Sequence, residues 1–184
     1  MSAPRDFPRP GRQAATQERS SMLRVDQAGE FGAARIYAGQ LAVMGDRHPD
    51  SRVIAGMQAQ EERHRRIFDA MIVDRGVRPT ALRPIWNVAG FALGAVTAAI
   101  GPRAAMACTA AIETEIDRHY GEQLEALGGD DPELAATIAD FQAEELEHRD
   151  IAREAGAAQA VGYPLLTGAV RAACRLAIGL SKRI

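Results

Sequence analysis

Prolines and glycines divide the chain into long stretches in which apolar and polar residues are mixed. Each stretch has the length of a long helix, and helices commonly begin at proline and end at glycine. The pattern predicts four long helices, with approximate bounds Gln17 to Gly45, Pro49 to Arg75, Pro102 to Leu127 and Pro132 to Gly156. Asp131 is the predicted N-cap of the fourth helix. The short connections within each pair predict two antiparallel hairpins.

The segment between the hairpins, residues 84–101 (PIWNVAGFALGAVTAAIG), is almost entirely apolar. As a helix it would reach roughly 25 Å, which is shorter than the ~30 Å hydrocarbon core of a bilayer. It also contains Asn87. The segment predicts a buried crossover helix or a helix in the membrane interface with Trp86 near the lipid headgroups, and a membrane span is a third alternative.

The last part of the chain, residues 163–184, alternates apolar residues with basic ones at helix-compatible spacing. The basic residues are Arg171, Arg175, Lys182 and Arg183. This pattern predicts a C-terminal amphipathic helix that docks either on the bundle or on anionic lipid.

The second hairpin repeats the first at an offset of 83 to 84 residues, and the repeat falls on polar positions. The first helix of each hairpin carries an E-x6-Y-x2-Q pattern, at residues 30–40 and 113–123. The second helix of each hairpin carries QAxExxHRxI, at residues 58–67 and 142–151. The two hairpins therefore present the same chemistry.

A Glu-x-x-His pair places a carboxylate and an imidazole on one face of a helix, because residues three apart lie about 60° apart. Two such pairs, together with one Glu from each of the other two helices, form the ligand pattern of ferritin-like di-iron and di-manganese bundles. The predicted metal ligands are Glu30, Glu61, His64, Glu113, Glu145 and His148. Their four carboxylates balance the charge of two ferrous ions, with both histidines neutral.

An isolated Glu-x-x-His usually lies on a solvated helix face. The internal repeat argues against that interpretation here. Two of the four histidines carry the motif, and they occupy equivalent positions in the two hairpins. The acidic neighbours Glu62 and Glu144 lack the matching spacing and are not predicted as ligands. Carboxylate and imidazole ligands suit both iron and manganese, and we favour iron.

Two aspartates and two tyrosines share faces with the predicted ligands. Asp26 and Asp117 lie one turn from Glu30 and Glu113, and could accept the free imidazole N–H groups of the histidines. The alternative is that each is a solvated acid paired with arginine. Tyr37 and Tyr120 could hydrogen-bond near the metals or simply pack in the core.

Composition limits the function further. A chain of 184 residues with no shift in composition predicts one domain, residues 16–184, after a disordered segment at residues 1–15. The net charge of −2 argues against nucleic acid as a partner. Two widely separated cysteines indicate free thiols and a reducing compartment, and no secretory signal is recognised.

Three segments of the sequence resemble a known protein family more specifically than the ligand pattern does. They are VDQAGEFGAARIYAGQ (residues 25–40), the insert within PTALRPIWNVAGFALGAVTAAIG (residues 79–101) and AMACTAAIETEIDRHYGEQ (residues 105–123). With the two Glu-x-x-His motifs, they make the chain resemble the demethoxyubiquinone hydroxylase family from about residue 20 to its end. All six ligand positions match.

The resemblance implies an all-α, ferritin-like four-helix bundle that hydroxylates the ring of a polyprenylated demethoxyquinone in ubiquinone biosynthesis. It implies two iron ions, dioxygen, NADH as reductant, and roles for His119 and Tyr120 near the electron route. The sequence contains no G-x-G-x-x-G nucleotide-binding motif, so a contact with the nicotinamide would be unconventional. The implied location is peripheral, on the cytoplasmic face of a bacterial inner membrane or the matrix side of a mitochondrial one.

The resemblance also suggests a lipid-binding accessory protein as a partner, and Gly90 and Gly94 would permit a homodimer through close helix packing. The alternative function is that of a ferritin-like ferroxidase or a rubrerythrin-like peroxide-handling protein. The long apolar insert argues against a storage cage, and two cysteines are too few for a rubrerythrin iron domain. A metal-free helical adaptor would leave the repeated Glu and His residues unexplained.

Overall fold

The computed structural model describes residues 10–46 and 48–184, and in these ranges the chain is helical and has no strand. The helices are α1 (Pro10–Met44), α2 (Ser51–Asp74), α3 (Arg83–Ile100), α4 (Pro102–Leu127), α5 (Pro132–Glu154) and α6 (Tyr163–Ser181). A short 3-10 turn, Ala157–Gln159, precedes α6. The predicted all-α fold is confirmed, including the crossover helix and the C-terminal helix.

The helix ends follow the predicted proline and glycine positions closely. Gly128 ends α4 in the left-handed region at φ 52°, where a side chain would be strained. Asp131 caps α5 as predicted, because its side chain accepts a hydrogen bond from the Leu134 N–H at 3.2 Å. Helix α1 begins at Pro10, earlier than the expected Gln17. Most of the segment expected to be disordered, residues 1–9, lies outside the described residues.

Helices α1, α2, α4 and α5 form the bundle, with α1 packed on α2 and α4 packed on α5. Two apolar clusters lie in the bundle core, one including Ile54, Met57 and Met106 and the other including Leu23, Phe68 and Phe141. A third cluster, which includes Ile36 and Ile112, joins α1 and α4 to α6. Each of the four helices contributes residues to both of the first two clusters. On every helix the predicted ligands lie between these two sets of residues. The fold thus buries a polar layer between two apolar ones.

Helix α3 lies against α1 at very short range. A Cβ atom at Gly94 would lie 1.9 Å from the Ile36 carbonyl oxygen, and one at Gly39 would lie 2.1 Å from the Phe91 carbonyl oxygen. Only glycine permits this approach. The small residues of α3 therefore pack within the chain.

The opposite face of α3 remains uncovered, with Ile85, Val88, Val96 and Ile100 all more than half exposed. Helix α3 is thus a crossover helix that is packed on one side only, rather than a buried one. Within the described residues, no helix is both long and apolar enough to cross a membrane.

Helix α6 packs mainly on α4. Its basic residues Arg171 and Arg175 face Glu115 of α4, while Leu165 and Leu176 are exposed. The helix is amphipathic as predicted, and its arginines bind the bundle. Cys108 is buried, Cys174 is partly buried, and both are free thiols, as expected.

Candidate metal centre

The centre of the bundle brings together the six predicted ligands. They form two groups of four that share Glu61 and Glu145. The first group adds Glu30 and His64, and the second adds Glu113 and His148. In each group, one ligand atom from every residue lies within 4.8 Å of the others. All of these side chains are buried.

Both imidazoles direct Nδ1 into the cluster. His64 Nδ1 lies 3.2 Å from Glu30 Oε2 and 3.2 Å from Glu145 Oε1. His148 Nδ1 lies 3.2 Å from Glu61 Oε1 and 3.3 Å from Glu145 Oε2. The internal repeat thus appears in space as two equivalent arrangements, one around each histidine.

Many buried polar atoms of this cluster have no hydrogen-bond partner in the described part of the chain. They are both carboxylate oxygens of Glu61 and Glu145, Glu113 Oε2, and His148 Nδ1. Buried acceptors without donors are costly, and they are the atoms that would coordinate cations. Carboxylate oxygens and imidazole nitrogens are suitable ligands for iron or manganese. The donor set therefore fits two divalent metal ions.

The charges lead to the same conclusion. Burial, followed by the charges of neighbouring carboxylates, raises the pKa of Glu61 and of Glu113 well above the usual value. Burial acts to lower the pKa of His64, but the Glu145 carboxylate 3.2 Å away and the hydrogen bond to Glu30 outweigh it and raise the pKa to about 10. Without metal, protons must therefore supply the positive charge that four buried carboxylates require.

Each tyrosine that follows a ligand glutamate donates its hydroxyl proton to the glutamate of the other hairpin. Tyr37 of α1 donates to Glu113 Oε1 of α4 at 2.5 Å. Tyr120 of α4 donates to Glu30 Oε1 of α1. Both hydroxyls are buried, and burial is the main cause that raises the pKa of each tyrosine. Tyr37 and Tyr120 were expected either to hydrogen-bond near the metals or simply to pack in the core, and both hydrogen-bond to predicted ligands.

The comparisons with known proteins agree with this geometry. The family model described as "Ubiquinone biosynthesis protein COQ7" matches residues 17–181. The chain belongs to the COQ7 family.

Individual relatives carry hydroxylase names. The chain is 57% identical over 162 residues to "3-demethoxyubiquinol 3-hydroxylase" of Rhodospirillum rubrum, covering 88% of this chain and 76% of the relative. It is 48% identical over 167 residues to the human "NADPH-dependent 3-demethoxyubiquinone 3-hydroxylase, mitochondrial", covering 89% and 76%. It is 42% identical over 188 residues to "5-demethoxyubiquinone hydroxylase, mitochondrial" of Saccharomyces cerevisiae, covering 94% and 80%.

In this COQ7 protein the partners of the outer imidazole nitrogens differ from the predicted ones. Nε2 of His64 lies 3.0 Å from Glu144 Oε2, and Nε2 of His148 lies 2.8 Å from Gln60 Oε1. Gln60 also donates to Glu144 Oε2 at 3.2 Å. Glu144 on α5 immediately precedes Glu145 and contacts His64 of α2. Gln60 on α2 immediately precedes Glu61 and contacts His148 of α5. The sequence signal was available, because both repeats carry a hydrogen-bond acceptor at this position.

The prediction that Asp26 and Asp117 accept the imidazole protons is therefore wrong. Asp117 binds Gln142 at 2.8 Å and Arg149 at 3.3 Å. Asp26 Oδ1 accepts a hydrogen bond from Gln123 at 2.7 Å. The expected pairing with arginine therefore holds for Asp117, and the acceptors nearest to the two imidazoles come from α2 and α5.

His119 lies outside both ligand groups. Its Nε2 is 2.9 Å from Gln123 Nε2, so the ring accepts the amide hydrogen, and it lies 3.7 Å from Asp26 Oδ1. Burial lowers the pKa of His119 to about 4, which keeps the ring neutral. His119 therefore belongs to a buried polar cluster with Asp26 and Gln123, one residue before Tyr120.

An apolar cavity of about 290 Å³ lies between α1, α3, α4 and α6. Gly29 and Ile112, the sequence neighbours of Glu30 and Glu113, are in its wall. The α3 and α6 walls meet where the Trp86 Nε1–H donates to Ser181 Oγ at 3.1 Å. The cavity therefore extends along the helical segments that carry two of the predicted ligands.

Proposed function

We propose that this COQ7 protein is a di-iron monooxygenase that hydroxylates the ring of a polyprenylated demethoxyubiquinone or its quinol. The observation that carries the proposal is the apolar cavity beside the six-residue cluster. A buried carboxylate and imidazole centre suits redox-active metal, and an apolar cavity beside it suits a prenylated ring. The names of the R. rubrum, human and yeast relatives support the same substrate class.

The six buried residues would hold two iron ions, with manganese as the less favoured choice. Iron bound there would supply the redox chemistry that dioxygen activation requires. Glu144 and Gln60 orient the histidines through their outer nitrogens, so that Nδ1 of each ring stays directed inward. Tyr37 and Tyr120 hold their hydroxyl protons on Glu113 and Glu30, which fixes those carboxylates.

The cavity would bind the substrate and keep water away from the reacting ring. Its wall is built from small and apolar residues, among them Gly32, Ala33, Leu93 and Ile178. Such a lining favours a hydrocarbon tail and excludes bulk water, which protects a reactive centre. The ring would lie toward α1 and α4, where the wall adjoins Glu30 and Glu113, and the tail would extend toward α3 and α6.

Peripheral membrane association follows from the nature of such a substrate. It is supported by the exposed apolar side chains of α3 and α6, including Val88, which is 67% exposed, and Leu165, which is 81% exposed. The proposed location is the cytoplasmic face of a bacterial inner membrane, or the matrix side of the inner membrane in a mitochondrial setting. A lipid-binding accessory protein and a homodimer remain part of the proposal as partners, but Gly90 and Gly94 pack on α1 within the chain and would not form the dimer interface.

The reductant is proposed to be a reduced nicotinamide. The sequence resemblance implied NADH, whereas the human relative is named NADPH-dependent, so both nucleotides belong in the assay. His119 and Tyr120 are proposed to take part near the electron route. Tyr120 is supported in this role by its hydrogen bond to Glu30, and His119 by its neutral, buried ring beside Asp26.

The test is single-turnover hydroxylation with labelled dioxygen. The iron-loaded protein is reduced without oxygen, mixed with a short-tailed demethoxyubiquinol, and exposed to ¹⁸O₂. Mass spectrometry should find one labelled oxygen atom in the ring hydroxyl, while the second leaves as water. Glu145→Ala should give no product. Iron oxidation without any hydroxylated quinone would contradict the proposal and would favour the ferroxidase alternative.

A further inference from the structure

The carboxylate of Glu115 forms a charged cluster outside the candidate metal centre. Its side chain is fully buried, yet Glu115 is only two residues from Glu113. Residues two apart on a helix point about 200° apart, so Glu115 faces away from the metal centre and toward α6. The metal centre therefore does not account for its burial.

Three arginines surround this carboxylate. Arg171 Nε donates to Oε1 at 2.5 Å, and Arg175 donates to Oε1 at 2.8 Å and to Oε2 at 2.9 Å. Arg118, from the same helix as Glu115, donates to Oε2 at 3.0 Å. Both oxygens are thus fully used, and the two arginines of α6 are held by a single residue of α4. A buried carboxylate with this many charged donors fixes the geometry of the elements that it joins.

The other polar attachments of α6 lie at its C-terminal end. Among its side chains, only Val170 and Ser181 are buried, and Leu176 is 63% exposed. The hydrogen bond from Trp86 to Ser181 is the one that joins α6 to α3 in the described ranges. Just after the helix, the carbonyl oxygens of Lys182 and Ile184 accept hydrogen bonds from Ser21, Arg24 and Ala81. Within α6 itself, Glu115 supplies the main polar attachment to the bundle.

The clamped part of α6 is also the part that forms the cavity wall. The cavity is lined by four residues of this part of α6, Ala173, Cys174, Ala177 and Ile178. Arg171 comes two residues before the first of them, and Arg175 directly follows Cys174. Movement of α6 away from α4 would open this wall along its length. The position of the wall thus depends on Glu115.

We propose that Glu115 is a positioning residue for the hydrocarbon tail of the substrate, because it holds α6 as the outer wall of the apolar cavity. The proposal deepens the proposed hydroxylase function and rests on it. Loss of the clamp should weaken recognition of the tail, while the ring, which is bound near α1 and α4, should be affected much less. Glu115 therefore determines how strongly the protein distinguishes long-tailed from short-tailed quinols.

The experiment compares two demethoxyubiquinols, one with a single isoprene unit and one with a long polyprenyl tail, in non-ionic detergent without lipid. Glu115→Gln should raise KM for the long-tailed quinol on the order of tenfold, with kcat changed little, and raise KM for the short-tailed one much less. Arg175→Gln should act in the same direction. Its side chain is 54% exposed, so this variant keeps the test available if Glu115→Gln does not fold. Arg153→Gln, which breaks an exposed pair on α5, is the control.

Binding gives an independent measurement. Trp86 is the single tryptophan and lines the cavity, so quenching of its fluorescence reports quinone binding to the metal-free protein. The long-tailed quinol should bind the Glu115→Gln and Arg175→Gln variants more weakly than wild type. The inference would be overturned if the ratio of KM for the long-tailed quinol to KM for the short-tailed quinol were the same in wild type and in both variants. If wild type hydroxylates neither quinol, the proposed function fails, and the binding measurement still decides the role of Glu115.

Discussion

The hydroxyl of Tyr37 donates to the carboxylate of Glu113 at 2.5 Å, although the sequence places Tyr37 two turns after a different predicted ligand, Glu30. Tyr120 makes the reciprocal bond to Glu30. The tyrosines therefore join the two hairpins across the metal centre. These two reciprocal hydrogen bonds link the two halves of the internal repeat.

Removal of the Tyr37 hydroxyl should make metal loading harder. The hydrogen bond from Tyr37 lowers the pKa of Glu113, which burial raises. In Tyr37→Phe the carboxylate should hold its proton more tightly, so the pH midpoint of Fe(II) loading should move upward. The lost bond should also cost about 1–3 kcal/mol of stability. Anaerobic iron titration at several pH values measures the first effect, and thermal unfolding the second.

Tyr120→Phe should lose the equivalent hydrogen bond to Glu30 and a similar amount of stability. Tyr163→Phe on α6 is the control because that residue lies outside the centre. An unchanged loading midpoint in Tyr37→Phe, with unchanged thermal stability in both tyrosine variants, would show that the two hydroxyls do not influence the carboxylates.

Glu144→Ala should weaken metal binding by about 10–100-fold, because Glu144 orients His64 through its outer nitrogen. The matched control is Glu62→Ala, since Glu62 is also an acidic neighbour of a ligand but pairs with Arg65 on the surface. Competition with a fluorescent metal chelator gives the affinities. Equal affinities for the two variants would mean that Glu144 has no special role.

Metal should stabilise the protein more as pH rises from 6.5 to 8.5. The pKa of His64 is raised from 6.5 to about 10, so the metal-free fold gains stability from this proton below pH 6.5 and loses it as pH rises toward 10. Glu61 and Glu113 act in the same direction, because their raised pKa values make ionisation in the fold costly. Metal binds the deprotonated residues and removes this loss.

The measurement is the change in Tm on addition of Fe(II) under argon, at pH 6.5 and at pH 8.5. Groups outside the centre titrate alike with and without metal and cancel in this difference. A Tm increase that is the same or smaller at pH 8.5 would contradict the assignment of these residues as the metal-binding groups.

Membrane association should depend on the uncovered face of α3. Val88→Glu places a charge at a position that is 67% exposed, so the fold should be retained while flotation with liposomes is lost or strongly reduced. Val73→Glu, at a position 79% exposed on α2, is the matched control. Equal flotation of both variants would show that α3 does not contact the lipid.

Much of the centre could be predicted because its information is local. The i, i+3 spacing and the repeat place Glu61, His64, Glu145 and His148 on inward faces whatever the details of helix packing. The helix ends were predictable for the same reason, since Asp131 and Gly128 act within one turn of their own positions.

The remaining features depend on how helices meet. The partners of the imidazoles, Glu144 and Gln60, come from the helix opposite each histidine, whereas Asp26 and Asp117 lie on the helices that bear Glu30 and Glu113. The cavity depends on four helices at once. The one-sided packing of α3 requires Gly39 of α1 as well as its own glycines, a pairing that periodicity does not reveal.

The most direct test of the metal centre is the iron content of the purified protein after anaerobic loading and removal of loose metal. Elemental analysis of wild type should give two iron ions per chain, one for each of the two ligand groups. Glu145→Ala should retain far less, because Glu145 belongs to both groups, and Glu62→Ala should retain two. Two irons in Glu145→Ala, or none in wild type, would contradict the six-residue centre.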